Sequence, residues 1–69
     1  MTVIDLWKLL NGNSILTIYN SNDHYLCTLT YRDYMKYQRF PDVGRAKDYM
    51  DREVICITPS DGELRVDTI

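Results

Sequence analysis

Turn-forming residues constrain this chain more than any other feature. Asn11-Gly12, Ser21-Asn22-Asp23-His24, Pro41 and Pro59-Ser60-Asp61-Gly62 interrupt it at intervals that leave room only for short helices and strands. Thr2 can cap a helix whose apolar residues Val3, Ile4, Leu6, Trp7, Leu9 and Leu10 leave Asp5 and Lys8 as its polar side, and Asn11-Gly12 supplies a left-handed stop. From Ser14 the period changes. Ile15, Leu16, Ile18 and Tyr19 precede the polar break, and Tyr25 to Leu29 resumes with β-forming residues, which predicts a hairpin with a short polar tip.

Thr30-Tyr31-Arg32-Asp33 fits a capping box ahead of a helix from about Tyr31 to Gln38. Pro41 ends that helix. Asp42 is placed to cap a second helical stretch, in which Val43, Ala46 and Met50 fall at helical spacing, although Gly44 disfavours it. Glu53 to Thr58 is rich in β-branched residues, and beyond the Pro59 to Gly62 turn Leu64, Val66 and Thr68 alternate with Arg65 and Asp67. The expected architecture is α+β: a small single domain over residues 1–69, with an N-terminal helix and two β-hairpins forming an antiparallel sheet of about four strands. A helical insert separates the hairpins, and the helices pack on one face.

Composition then narrows the function. A chain of 69 residues, 45% hydrophobic and 26% charged with net charge −2, supports one globular core and excludes a multi-lobed enzyme. So short a chain leaves much of its surface in water, which makes dimerisation or partner binding a source of additional stability. The longest apolar stretches, Leu9-Leu10 and Val54 to Ile57, are far too short to span a membrane, and no basic-then-apolar signal follows Met1; the expected location is the cytoplasm. The two cysteines are accordingly read as reduced.

Catalytic and metal chemistry find little support. His24, Cys27 and Cys56 are three soft ligands without paired-cysteine spacing, so no metal site or cofactor is expected. The carboxylates of Asp48, Asp51 and Glu53 and of Asp61, Glu63 and Asp67 sit at turns and strand ends, where acids usually face water. Gly12, Gly44 and Gly62 are isolated and form no phosphate-binding loop. The expectation is a protein that is not an enzyme.

The most informative stretch is Thr30 to Phe40, where tyrosines and cations interleave. On a helix Arg32, Lys36 and Arg39 form a basic stripe, with Arg45 and Lys47 following. Three readings of the neighbouring tyrosine face stay open: packing on the sheet, a protein interface, and contact with nucleic acid. With Tyr31, Tyr34 and Met35 turned toward the sheet, Tyr37 would stand with the cations in solvent. The candidate binding residues are therefore Arg32, Lys36, Tyr37, Arg39, Arg45 and Lys47.

Thr2 to Leu10, Leu16 to Asn20, Asp51 to Ile57 and Leu64-Arg65-Val66 together resemble small uncharacterised proteins of bacteriophages and prophages in Gram-positive bacteria. Those proteins similarly begin with a short helix, pass through a strand and a polar turn, and end in a terminal hairpin. Tyr49-Met50 and the tyrosine-rich insert from Tyr31 to Tyr37 depart from that pattern. The resemblance implies an accessory product of a mobile element acting inside a bacterial host. It carries the expectation of a non-enzymatic binding module that occupies a host protein and inhibits a defence protein such as a CRISPR-type nuclease complex. A small nucleic-acid-binding regulator using the basic insert is the alternative; a homodimer is compatible with both, and a membrane partner with neither.

Overall fold

A computed structural model describes residues 1–42 and 44–69 and, of Arg45, the backbone alone. In chain order it contains α1 (Val3–Leu9), β1 (Ile15–Tyr19), β2 (Tyr25–Leu29), α2 (Tyr31–Arg39), a 3-10 turn (Arg45–Asp48), β3 (Val54–Ser60) and β4 (Glu63–Thr68). This is the expected α+β architecture, with two antiparallel hairpins and a helical insert between them.

Both ends of α1 are satisfied by bonds that its sequence supplies or attracts. Thr2 Oγ1 accepts from the Asp5 N–H, and the Asp5 carboxylate accepts from the Thr2 N–H at 3.0 Å. The free N–H groups of Val3 and Ile4 donate to the carbonyls of Arg52 and Met50 at 3.0 and 3.2 Å, tying the helix start to the segment that leads into β3. At the other end Asn11 and Gly12 both have positive φ, 52° and 70°. The Asn11 N–H donates to the Lys8 carbonyl and the Gly12 N–H to the Trp7 carbonyl, the double bond pattern of a left-handed helix stop.

The sheet has the order β2-β1-β4-β3. Its two hairpins are antiparallel, but they join through a parallel β1–β4 pair, so the sheet as a whole is mixed rather than antiparallel throughout. The cause lies in the insert and in Pro59. Helix α2 returns the chain, so that β3 runs in the same direction as β2. Pro59 has no N–H to offer a second neighbour, which suits β3 to the edge and leaves β4 to sit beside β1. Thr68 locks that junction: its buried hydroxyl donates to the Tyr19 carbonyl at 2.8 Å and accepts from Arg52 Nε at 2.9 Å.

One face of the sheet is covered. Leu16, Ile18, Cys27, Leu29 and Val66 meet Val3, Leu6, Trp7, Tyr34, Ala46 and Met50 in a single buried cluster. The expected second helix is reduced to one 3-10 turn. Gly44, not Asp42, precedes it, with φ of 92° that takes the backbone out of helical geometry. Val43 and the Arg45 side chain lie outside the described residues.

Helix α2 is rotated by about one residue step, roughly 100°, from the expected orientation. Tyr34 is buried as expected, at 6% exposure, but Tyr37 joins it on the inner side, while Tyr31 and Met35 turn outward at 53% and 42%. Gly12 and Trp7 set this rotation. The Tyr34 ring lies against Gly12 and meets the Trp7 ring edge-on at a centroid distance of 5.0 Å.

A Cβ at position 12 would stand 2.5 Å from Tyr34 Cγ in a backbone conformation that L residues rarely adopt. Gly12→Ala should therefore cost about 2–4 kcal/mol in urea unfolding, from backbone strain and overpacking together. A loss below about 1 kcal/mol would mean that Tyr34 does not seat on this glycine.

The hydrogen bonds from the Thr2 backbone and hydroxyl hold the Asp5 carboxyl below its ordinary pKa of 3.8. A depressed folded-state value contributes stability that is complete above 3.8 and is lost as pH falls through the lower folded value. Acid titration of Asp5→Asn, followed by circular dichroism, should show a smaller loss of stability below pH about 4 than the native protein shows.

Candidate binding surfaces

Helix α2 is held at its start by Asp33, whose carboxylate accepts from the Thr30 N–H at 2.9 Å and from the Thr30 hydroxyl at 3.1 Å. With Tyr34 and Tyr37 facing inward, the opposite side presents Arg32, Met35, Lys36 and Arg39 to solvent, flanked by Tyr31 and by Phe40 at 57% exposure. Met35, Lys36, Arg39 and Phe40 line an open hollow of about 470 Å³. None of the three cations forms an ion pair among the described residues. The helix bears three cations and one carboxylate, a net +2 that leaves −4 on the rest of the chain.

Of the candidate binding residues, Arg32, Lys36 and Arg39 come together on this face. Lys47 is exposed on the 3-10 turn, which packs against α2. The Arg45 side chain lies outside the described residues. Tyr37 does not stand with the cations; it is half-buried and packs toward the core. Sequence reasoning missed Tyr31, Met35 and Phe40 as the apolar members of the surface. Counting helical steps from Tyr34 as the buried centre, with Tyr37 inward, would have placed Met35 among the cations.

A groove of about 240 Å³ separates the two helices. Ile4 and Lys8 of α1 form one wall, and Tyr34, Tyr37 and Gln38 of α2 form the other, with Pro41 at the end. The Gln38 amide donates to the Tyr34 hydroxyl at 3.0 Å. Lys8 is exposed and forms no ion pair among the described residues.

The face of the sheet away from the helices is largely polar, although Tyr25 and Ile15 are exposed on it at 55% and 36%. The strand register aligns Thr28, Thr17, Arg65 and Thr58 in one row and Tyr25, Tyr19, Asp67 and Cys56 in the next. Arg65 lies over the Tyr19 ring at 3.9 Å and pairs with both Asp23 and Asp67, which raise its pKa above the ordinary guanidinium value. Its charge is thereby committed within the chain. Cys27 lies in the buried core and Cys56 on the exposed face, so the two thiols do not converge. The described residues hold no group of three His, Cys, Asp or Glu side chains arranged to ligate one metal ion, and no helix among them is long and apolar enough to cross a membrane.

Compared with known proteins, the chain matches no protein-family model, and no curated protein and no solved structure shows significant similarity to it.

The rotation of α2 can be measured by truncation. Tyr34→Ala should cost about 3–5 kcal/mol through the cavity left beside Trp7, whereas Tyr31→Ala should stay within about 0.5 kcal/mol. Tyr37→Ala should fall between them, at about 1–2 kcal/mol. Thermal or urea unfolding that ranked Tyr31 above Tyr37 would show the helix turned the other way.

Proposed function

We propose that this protein is a non-enzymatic binding module that docks on an acidic protein surface through the outer face of α2. The observation that carries this reading is the set of three cations, Arg32, Lys36 and Arg39, which form no ion pair among the described residues and are interleaved with the exposed apolar side chains of Tyr31, Met35 and Phe40. Water-exposed methionine and aromatic groups gain by burial, and arginines among them supply directional bonds to carboxylates, which is the composition of a protein interface. Nucleic acid fits less well. The helix offers few cations, and Arg65 on the open sheet face is already paired with aspartates. The proposed setting is a phage or mobile element in a bacterial host, and the proposed partner class is a defence protein such as a CRISPR-type nuclease complex, inhibited by occupation of its surface.

A photo-crosslinking residue placed at Met35, compared with one at Thr58 on the open sheet face, tests this in a Gram-positive host lysate. The expected result is a discrete protein adduct from position 35 only, lost when Lys36→Glu and Arg39→Glu are combined. Equal adducts from both positions, or none, would remove the reading. Salt-steep binding of an oligonucleotide at micromolar protein, with no protein adduct, would replace it with the nucleic-acid alternative.

A further inference from the structure

We propose that the groove between α1 and α2 is a socket for one apolar side chain of an acidic peptide segment on the partner. The inference rests on the reading of α2 as a protein-docking helix, and it names what the partner must present. Ile4, Tyr34, Tyr37 and Pro41 give the groove apolar walls, and its volume of about 240 Å³ is below the roughly 300–1,000 Å³ typical of drug-sized ligand sites. An aromatic or branched aliphatic side chain suits it better than a cofactor does.

The polar groups at the groove match a peptide that carries negative charge. Lys8 brings an ammonium group with no ion pair among the described residues. Gln38 spends one amide N–H on the Tyr34 hydroxyl, and its carbonyl and second N–H, which have no partner among the described residues, are an acceptor and a donor that complement a peptide group. Successive helical residues turn by about 100°, so Gln38 lies at the boundary between the groove and the outer face of α2. A segment anchored in the groove and crossing Gln38 then runs onto Met35, Lys36 and Arg39. Cations occupy both ends of that path, which selects carboxylates on either side of the anchor.

The test titrates the intact, isotope-labelled protein with a capped synthetic peptide of acidic residues around one central phenylalanine, and with the same peptide carrying alanine at the centre. The phenylalanine peptide is expected to shift the backbone amide resonances of Ile4, Lys8, Tyr37 and Gln38 and to bind at least about tenfold more tightly than the alanine peptide. Lys8→Glu, an exposed substitution that should leave the spectrum of the free protein intact, is expected to weaken the phenylalanine peptide by at least about tenfold. Equal affinity of the two peptides, with shifts confined to Arg32, Lys36 and Arg39, would overturn the socket while leaving the docking helix standing. Shifts on the open sheet face, or undiminished binding by a folded Lys8→Glu protein, would also overturn the socket. No shifts from either peptide would overturn both readings.

Discussion

The contact of Tyr34 with Gly12 and Trp7 governs how this molecule meets its surroundings. Gly12 is the second of the two left-handed residues that end α1, and its missing side chain leaves a seat for an aromatic ring from α2. Trp7, buried from the same helix, closes the seat edge-on. Once Tyr34 occupies it, α2 has no freedom to turn. Tyr37 and Gln38 must then face α1, which creates the groove. Arg32, Met35, Lys36 and Arg39 must face water, which creates the basic and apolar surface. A single aromatic contact between the end of α1 and the middle of α2 thus sets both the groove and the outer helix face.

Trp7 carries a cost in this arrangement. Its indole N–H is buried without a hydrogen-bond partner among the described residues, a desolvation penalty on the order of 1–3 kcal/mol. The ring still contributes a large apolar area to a core drawn from few residues. In a chain this short, burying the largest side chain fully outweighs leaving one donor unmet. The parallel β1–β4 pair is treated differently: Thr17 bonds the Leu64 carbonyl, and Thr68 bonds the Tyr19 carbonyl and Arg52. These side chains fasten the junction between the two hairpins, which has no turn of its own to hold its register.

Charge is partitioned as sharply as packing. On the open sheet face Arg65 is neutralised by Asp23 and Asp67, and threonines fill a row across the strands. The edge strand β3 carries Pro59, which withholds an N–H from any incoming strand. On the outer face of α2 the cations form no ion pair among the described residues, and the methionine and aromatics are exposed. The helix face thus differs from the sheet face in keeping its charge and its apolar groups side by side in water.

Local rules made much of this legible in advance. The capping residues Thr2 and Thr30, the stop at Asn11-Gly12, the first hairpin tip and the alternation along β4 each act within a few residues, and the corresponding elements formed where the residues indicated; the second tip shrank to Asp61-Gly62, because Pro59 and Ser60 stay paired with Leu64 and Glu63 as the end of β3. The cationic stripe of α2 was likewise readable, because helical spacing alone aligns Arg32, Lys36 and Arg39. Three matters were decided only by the tertiary structure. The rotation of α2 could not be read from its own sequence, since tyrosines and methionine span an arc of about 160°, wide enough for either flank to face inward, and the seat that chooses between them lies on Gly12 and Trp7, over twenty residues earlier. The parallel joining of the hairpins depended on the insert returning the chain and on Pro59 suiting β3 to the edge. The groove needed both helices at once. Caps, turns and spacing are properties of neighbouring residues and were determined by the sequence itself, whereas the buried face of a helix is chosen by whatever surface is there to receive it.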